Sequence, residues 1–176
     1  MPERLIIRGG RVVADDWTVV EPIAPGVEIV LPPGKLIVPL AWWTAHRDLL
    51  TACYLARGLP LGVWLEGADD PALLATDLHR IALIAIRFPK FADGRGYSSA
   101  ALLRTRYGFK GELRAIGDVL RDQLFYLKRV GFDAFAVRAD KDIHDAAKAL
   151  ADFSVTYQGS VDQPLPLFRR RTEVAA

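Results

Sequence analysis

The residues that follow each apolar run are those an α/β fold would gather on one edge, and here they include Glu66, Arg87, Gly117 with Asp118, and Arg138 with Asp140. Lys90 and Arg95 add two cations in the loop after Arg87. A guanidinium presents a planar fork of donors that matches an oxyanion. The set Arg87, Lys90, Arg95, Tyr97, Ser98, Arg114, Arg121 and Arg138 therefore reads as an anion- or partner-binding site for sulfite, sulfate, phosphate or a partner's carboxylates. The competing reading is internal: Arg87 and Arg138 pair with Glu66, Asp93 and Asp118 and hold the loops without any ligand. Asp118 is the one candidate acid or base, but it also suits the N-cap of a helix starting at Val119.

Other chemistry finds little support. GRGYSS, residues 94–99, has Gly-x-Gly-x-x-Ser where a dinucleotide loop has a third glycine, and it begins seven positions after Arg87. It reads as a turn with Ser98 as N-cap. The single cysteine, Cys53, excludes an intrachain disulfide and a four-cysteine cluster, and its place on an apolar stripe reads as a buried, inert thiol. His46, His79 and His144 form no HxxxH pair. No metal site and no cofactor are expected.

Charge is uneven. From Arg87 to Arg138 there are eleven Lys/Arg against five acids, a net +6 within a chain of net +2. Such asymmetry suits an anionic ligand or an acidic protein partner, with Arg104, Arg106, Arg114 and Arg121 as a basic docking surface. Tyr97, Tyr107, Phe109, Phe125 and Tyr126 are candidates for an exposed aromatic partner surface beside them. Exposed aromatics do not interleave with the cations as nucleic-acid binding requires, and no apolar run approaches the roughly 20 residues of a membrane span. A cytoplasmic protein is expected.

The elements that must position these residues come in two styles. Residues 1–40 read as a β-rich arm: Gly9-Gly10 turns Leu5–Arg8 back on Arg11–Ala14, and Pro32-Pro33-Gly34 separates Val27–Leu31 from Leu36–Val38. The arm is expected to cover a face or edge of an α/β domain, residues 36–157. That domain alternates helix 41–57 (Trp42, Ala45, Leu49, Ala52 or Cys53, and Ala56 inward), strand 61–65, a helix opened by Asp70-Pro71, strand 81–86, helix 98–107, strand 113–116, helix 119–130, strand 134–137 and helix 143–152. Five βα units make a mainly parallel sheet. IALIAI at 81–86, apolar throughout, reads as a strand buried between helical layers. An open sheet is preferred and a partial (β/α) barrel is the alternative. Residues 158–176 read as an extended tail, with Ala175 and Ala176 disordered.

FPKFADGRGYSSAALLRTRYGFKGELRAIGDVLRDQLFYLKRVGFDAFAVR, Phe88 to Arg138, resembles a bacterial family of uncharacterised domains, and GGRVVADDW and PLPLFRRR extend the likeness toward both termini. Genes of that family lie beside those of assimilatory sulfite reductase, and members carry the label "oxidoreductase probably involved in sulfite reduction". The resemblance implies an accessory protein that docks sulfite reductase or its electron donor, such as ferredoxin. It brings no catalytic residue. An anion-binding α/β enzyme acting on a sulfur oxyanion or a phosphorylated small molecule is the alternative, and a third reading has the chain self-associate through its N-terminal strands.

Overall fold

Gly9 and Gly10 take φ angles of 57° and 77°. Left-handed backbone at both central positions is what a two-residue hairpin turn needs to match strand twist. It joins β1 (Leu5–Arg8) to β2 (Arg11–Ala14), with Arg8 opposite Arg11. The computed structural model describes residues 4–22 and 32–173. The expected strand Val27–Leu31 and the expected disorder at Ala175 and Ala176 fall outside these residues.

Six further strands join the hairpin: β3 (Trp17–Val19), β4 (Lys35–Pro39), β5 (Leu61–Glu66), β6 (Leu83–Phe88), β7 (Glu112–Gly117) and β8 (Ala134–Phe135). They form one eight-stranded sheet in the order β2-β1-β8-β7-β6-β5-β4-β3. From β3 to β8 every neighbouring pair is parallel, whereas β1 meets β8 antiparallel with Ile7 opposite Phe135. The hairpin is therefore part of the sheet. Because the parallel strands run in chain order, each right-handed crossover steps the same way and the helices fall on one face.

The sheet is curled, and the connection from β2 to β3 shows how far. These are its two edge strands, yet only Asp15 and Asp16 separate them. Three Cα steps reach at most about 11 Å, whereas the seven gaps of a flat eight-stranded sheet would span about 33 Å. The edges thus approach each other at one end of an open half-barrel. Its inner face buries Trp17, Ile37, Trp64, Leu83, Ala85 and Ile116, all from strands. The Trp64 indole N–H donates to the Val20 carbonyl at 2.9 Å, fastening β5 to the segment after β3.

On the outer face, α1 (Leu40–Leu55), α2 (Arg95–Thr105), α3 (Arg121–Arg129) and α4 (Ile143–Lys148) cover the larger core. Strand β6 is buried on both sides, but its second side faces the inside of the curl, not a second helical layer. Asp70 does cap the expected helix by accepting from Ala72 N at 2.9 Å, although that helix is a single 3-10 turn, Pro71–Leu74.

Several expectations need correction. Helix α1 has a non-helical residue at His46 (φ −134°), and its buried stripe lies one residue on from the expected one. Trp43, Leu50 and Tyr54 face the core, while Leu49 and Cys53 are exposed. The Trp43 indole donates to buried Asp77 at 3.2 Å, which fixes this phase. Helix α2 starts at Arg95, so Ser98 lies within it and is exposed instead of capping it. Helix α3 starts at Arg121: the Gln123 side chain reaches back to accept from Leu120 N at 2.9 Å, and Asp118 is not its cap. Phe109 is buried in the outer core, not exposed. The tail is not wholly extended, because Leu167–Glu173 forms α5. No helix among the described residues is long and apolar enough to cross a membrane.

Candidate ligand-binding site

Alternation along β7 puts Leu113 and Ala115 into the helix-covered core and turns Glu112, Arg114 and Ile116 to the inside of the curl. Arg114 is 1% exposed, one of the largest fully buried side chains. Its Nε donates to Glu112 Oε1 at 2.7 Å and its Nη1 to Asp15 Oδ1 at 2.8 Å. Nη2 lies 2.6 Å from the same Glu112 oxygen, but its N–H bonds are not aligned with it. One nitrogen of a buried guanidinium thus has an ion-pair contact without an aligned hydrogen bond, and retains capacity to donate.

Asp15 comes from the two-residue link between the sheet edges, and its side chain is 8% exposed. It also accepts from Trp17 N at 3.2 Å. Arg4 donates to the Trp17 carbonyl, closing the same corner from the start of β1. Glu112 has a second cation in Arg8, at 3.7 Å.

Beside this buried cluster lies a cavity of about 450 Å³. Arg4, Asp15, Arg114, Arg138 and Lys141 supply its polar lining, and Ile6, Val19, Ile116, Ala136, Val137 and Ile143 supply apolar wall. Arg138 and Lys141, whose side chains are 41% and 48% exposed, follow β8 at the carboxyl end of the parallel strands. That edge is where ligands of open α/β sheets bind.

Arg138 is held by two carboxylates. Its Nη1 donates to Asp118 at 2.8 Å, and Nε and Nη2 form a fork on Asp140 at 2.6 and 3.1 Å. Hydrogen bonding from Arg138 draws the Asp140 carboxyl down to about 2, and the bonds Arg138 donates to Asp140 and then to Asp118 raise it above its ordinary value. The other Asp118 oxygen accepts from Phe91 N at 2.9 Å, so Asp118 ties the loop after β6 to Arg138.

Of the residues expected to bind an anion, the cavity brings Arg114 and Arg138 together. Arg87 lies on the inner face but outside the cavity lining; Glu21 grips it at 2.6 and 3.0 Å, Glu66 is 3.8 Å away, and its guanidinium sits 4.0 Å from the Trp64 ring centroid. Arg95 forms a fork on Asp93, whose carboxyl it draws down to about 2. Tyr97 packs between Phe88 and Tyr126, and burial pushes its phenol up. Lys90 and Ser98 are exposed. Arg121 pairs with Asp145 and Asp152 on the helical side.

The expected basic docking surface is not assembled. Arg114 is buried, and Arg104 is spent on the carbonyls of Gly131, Phe109 and Gly111 and on Asp133. Arg106 remains exposed. Arg4, Asp15 and Lys141 escaped the sequence reading, and the acidic pair at 15–16 between two short strands was the available signal for one of them.

No curated protein matches the chain. A family profile matches residues 62–168, from β5 to the start of α5, and the chain belongs to that family, described as bacterial protein of unknown function (DUF934).

Proposed function

We propose that this protein binds a small molecule carrying an acidic or oxygen-rich group in the cavity between β7, β8 and the N-terminal strands. The observation that carries the reading is Arg114: a fully buried guanidinium whose Nη2 has an ion-pair contact with Glu112 but no aligned hydrogen bond, lining a cavity of about 450 Å³. Cavities of this size with apolar walls and a few convergent polar groups are the usual form of small-molecule sites. The more exposed Arg138 and Lys141 attract an acid electrostatically, and buried Arg114 meets it. The setting, auxiliary to sulfite reduction, rests on the sequence resemblance alone.

The test is a thermal-shift panel of sulfite, sulfate, phosphate, nucleotides and small organic acids, run on wild type and on Ala136→Leu, which fills the cavity without touching the ion pairs. A ligand that binds only the folded form raises the melting temperature. At least one acid should do so in wild type and lose the effect in Ala136→Leu. A panel without any shift, or a shift that survives the variant, overturns the proposal.

One observation favours a second reading, docking of sulfite reductase or its electron donor. Tyr126, Phe153, Val155 and Tyr157 are each more than half exposed, and with Phe125 they line an open groove of about 500 Å³ between α3 and the tail. Exposed aromatic clusters of this kind mark binding surfaces. Pull-down with the reductase at low and moderate salt should then fail for Tyr126→Ala/Tyr157→Ala. No complex with the wild type at either salt concentration removes this reading.

A further inference from the structure

We infer that the ligand of the β7–β8 cavity is an organic monoanion, a carboxylate or sulfonate on a compact apolar body, and not a bare inorganic oxyanion. This rests on the proposal that the cavity binds an acid, and it adds the chemical class.

Size and wall chemistry supply the first argument. At about 450 Å³ the cavity is an order of magnitude larger than the roughly 30 Å³ that one water occupies in the liquid. An inorganic oxyanion of four or five heavy atoms would leave most of it unfilled, with Ile6, Val19, Ile116, Val137 and Ile143 facing water or void. An apolar body against these side chains removes their surface from water, which is favourable in proportion to area. The polar groups cluster instead at buried Arg114 and Asp15 and at the more exposed Arg138 and Lys141. Such a division asks for a ligand with one acidic end and one apolar end.

Charge supplies the second argument. Four cations line the cavity: Arg4, Arg114, Arg138 and Lys141. Three of them already face carboxylates. Arg114 lies between Asp15 and Glu112, Arg138 between Asp118 and Asp140, and Lys141 is 3.3 Å from Asp140. Arg8 also reaches Glu112, which makes five cations against four carboxylates among the described residues. Arg4, which donates to the neutral Trp17 carbonyl, carries the excess. A single negative charge neutralises this cluster. Sulfate or the phosphate dianion would bring a second charge beside Asp15 and Asp118 with no cation left to meet it, in a site partly removed from water.

The head group is placed by Arg114 Nη2. That donor is fixed by the two bonds the same guanidinium makes to Glu112 and Asp15. A carboxylate or sulfonate oxygen accepting from it supplies the aligned hydrogen bond that Glu112, 2.6 Å away, does not, and a neutral body without an acceptor does not supply it. No covalent step is involved.

The experiment is isothermal titration of the wild-type protein with cyclohexanecarboxylate and benzenesulfonate as organic monoanions, sulfate as inorganic dianion, and cyclohexylmethanol as neutral isostere. Quenching of Trp17 and Trp64, both on the inner face, gives a second readout. The organic anions should bind at least tenfold more tightly than sulfate and than the alcohol, and Ala136→Leu should weaken them at least tenfold. Sulfate binding as well as or better than both organic anions overturns this inference and leaves the acid-binding proposal standing. Equal binding of the alcohol also overturns it, since charge would then not be read. Binding of no acid of either class overturns both, and tight organic-anion binding unchanged in Ala136→Leu places the site elsewhere and overturns both.

Discussion

Replacing Arg114 by methionine removes the cation between Asp15 and Glu112 while keeping most of the side-chain volume. Glu112 retains Arg8 at 3.7 Å, but Asp15 retains only the Trp17 N–H. Its carboxylate, 8% exposed on the inner face of the curl, becomes a buried charge without a counter-ion. Breaking a buried pair in this way costs about 3–5 kcal/mol, a large share of a domain's stability of about 5–15 kcal/mol. With a urea dependence of about 2 kcal/mol per molar, the unfolding midpoint should fall by about 1.5–2.5 M. The damage comes from an orphaned charge, so adding Asp15→Leu should restore at least half of the loss. Replacing a whole buried ion pair by apolar groups is often neutral. Equilibrium urea unfolding followed by tryptophan fluorescence measures all three proteins. A midpoint shift below about 0.5 M for Arg114→Met, or no recovery in the double variant, would refute the view that this cluster holds the sheet edges together.

Four further outcomes are expected. Gly117 has φ +94°, and a Cβ there would lie 2.4 Å from the Phe88 carbonyl oxygen; Gly117→Ala should cost about 2–4 kcal/mol, and a urea midpoint equal to wild type would contradict this. Acid should weaken the fold between pH 3.8 and about 2, because Asp93 and Asp140 have folded values depressed to about 2 by Arg95 and Arg138 and contribute stability only while ionised. Asp133 works in the opposite sense: burial raises its carboxyl, so its contribution falls as pH rises above 3.8, and in Asp133→Asn the slope of stability against pH just above 3.8 should become more positive. Cys53 is exposed and should react with a disulfide-exchange reagent in the native protein at one thiol per chain, whereas protection until denaturation would show that α1 packs with a different phase.

Most strands were readable from sequence because their signals are local. Gly9-Gly10 marks its own turn, and the expected strands 61–65, 81–86 and 113–116 fall on β5, β6 and β7, although β6 lies two residues later and β3, three residues long, gave no signal. The inward stripe of α3, with Gln123, Leu124, Leu127 and Val130 buried, follows from its 3.6-residue period. The curl was not readable, since it depends on Asp15-Asp16 joining strands at opposite edges, and a linker's length says nothing until strand order is known. Arg114 misled for a similar reason. In ELRAIG an arginine alternating with apolar residues looks like a solvent-facing position, and only pairing with an acid 99 residues away turns it inward. Arg138 was placed correctly on the strand edge, but its engagement by Asp118 and Asp140 shows that a cation's position in sequence does not reveal whether it is free.

The pairing of β1 with β8 also sets an order of assembly. Ile7 pairs with Phe135, so during synthesis at about 5–20 residues per second β1 leaves the ribosome roughly 6–26 s before its partner strand. The ladder from β3 to β8 can zip in step with translation, each strand docking on the one just made. The hairpin must wait beside it, already turned at Gly9-Gly10 but without its place in the sheet. Long-range closure of this kind is slow, and until it occurs β8 presents an unpaired edge to other nascent chains. Overexpression that outpaces this last docking step should favour aggregation through β8, which makes the N-terminal hairpin a guard of the sheet edge as well as a wall of the cavity.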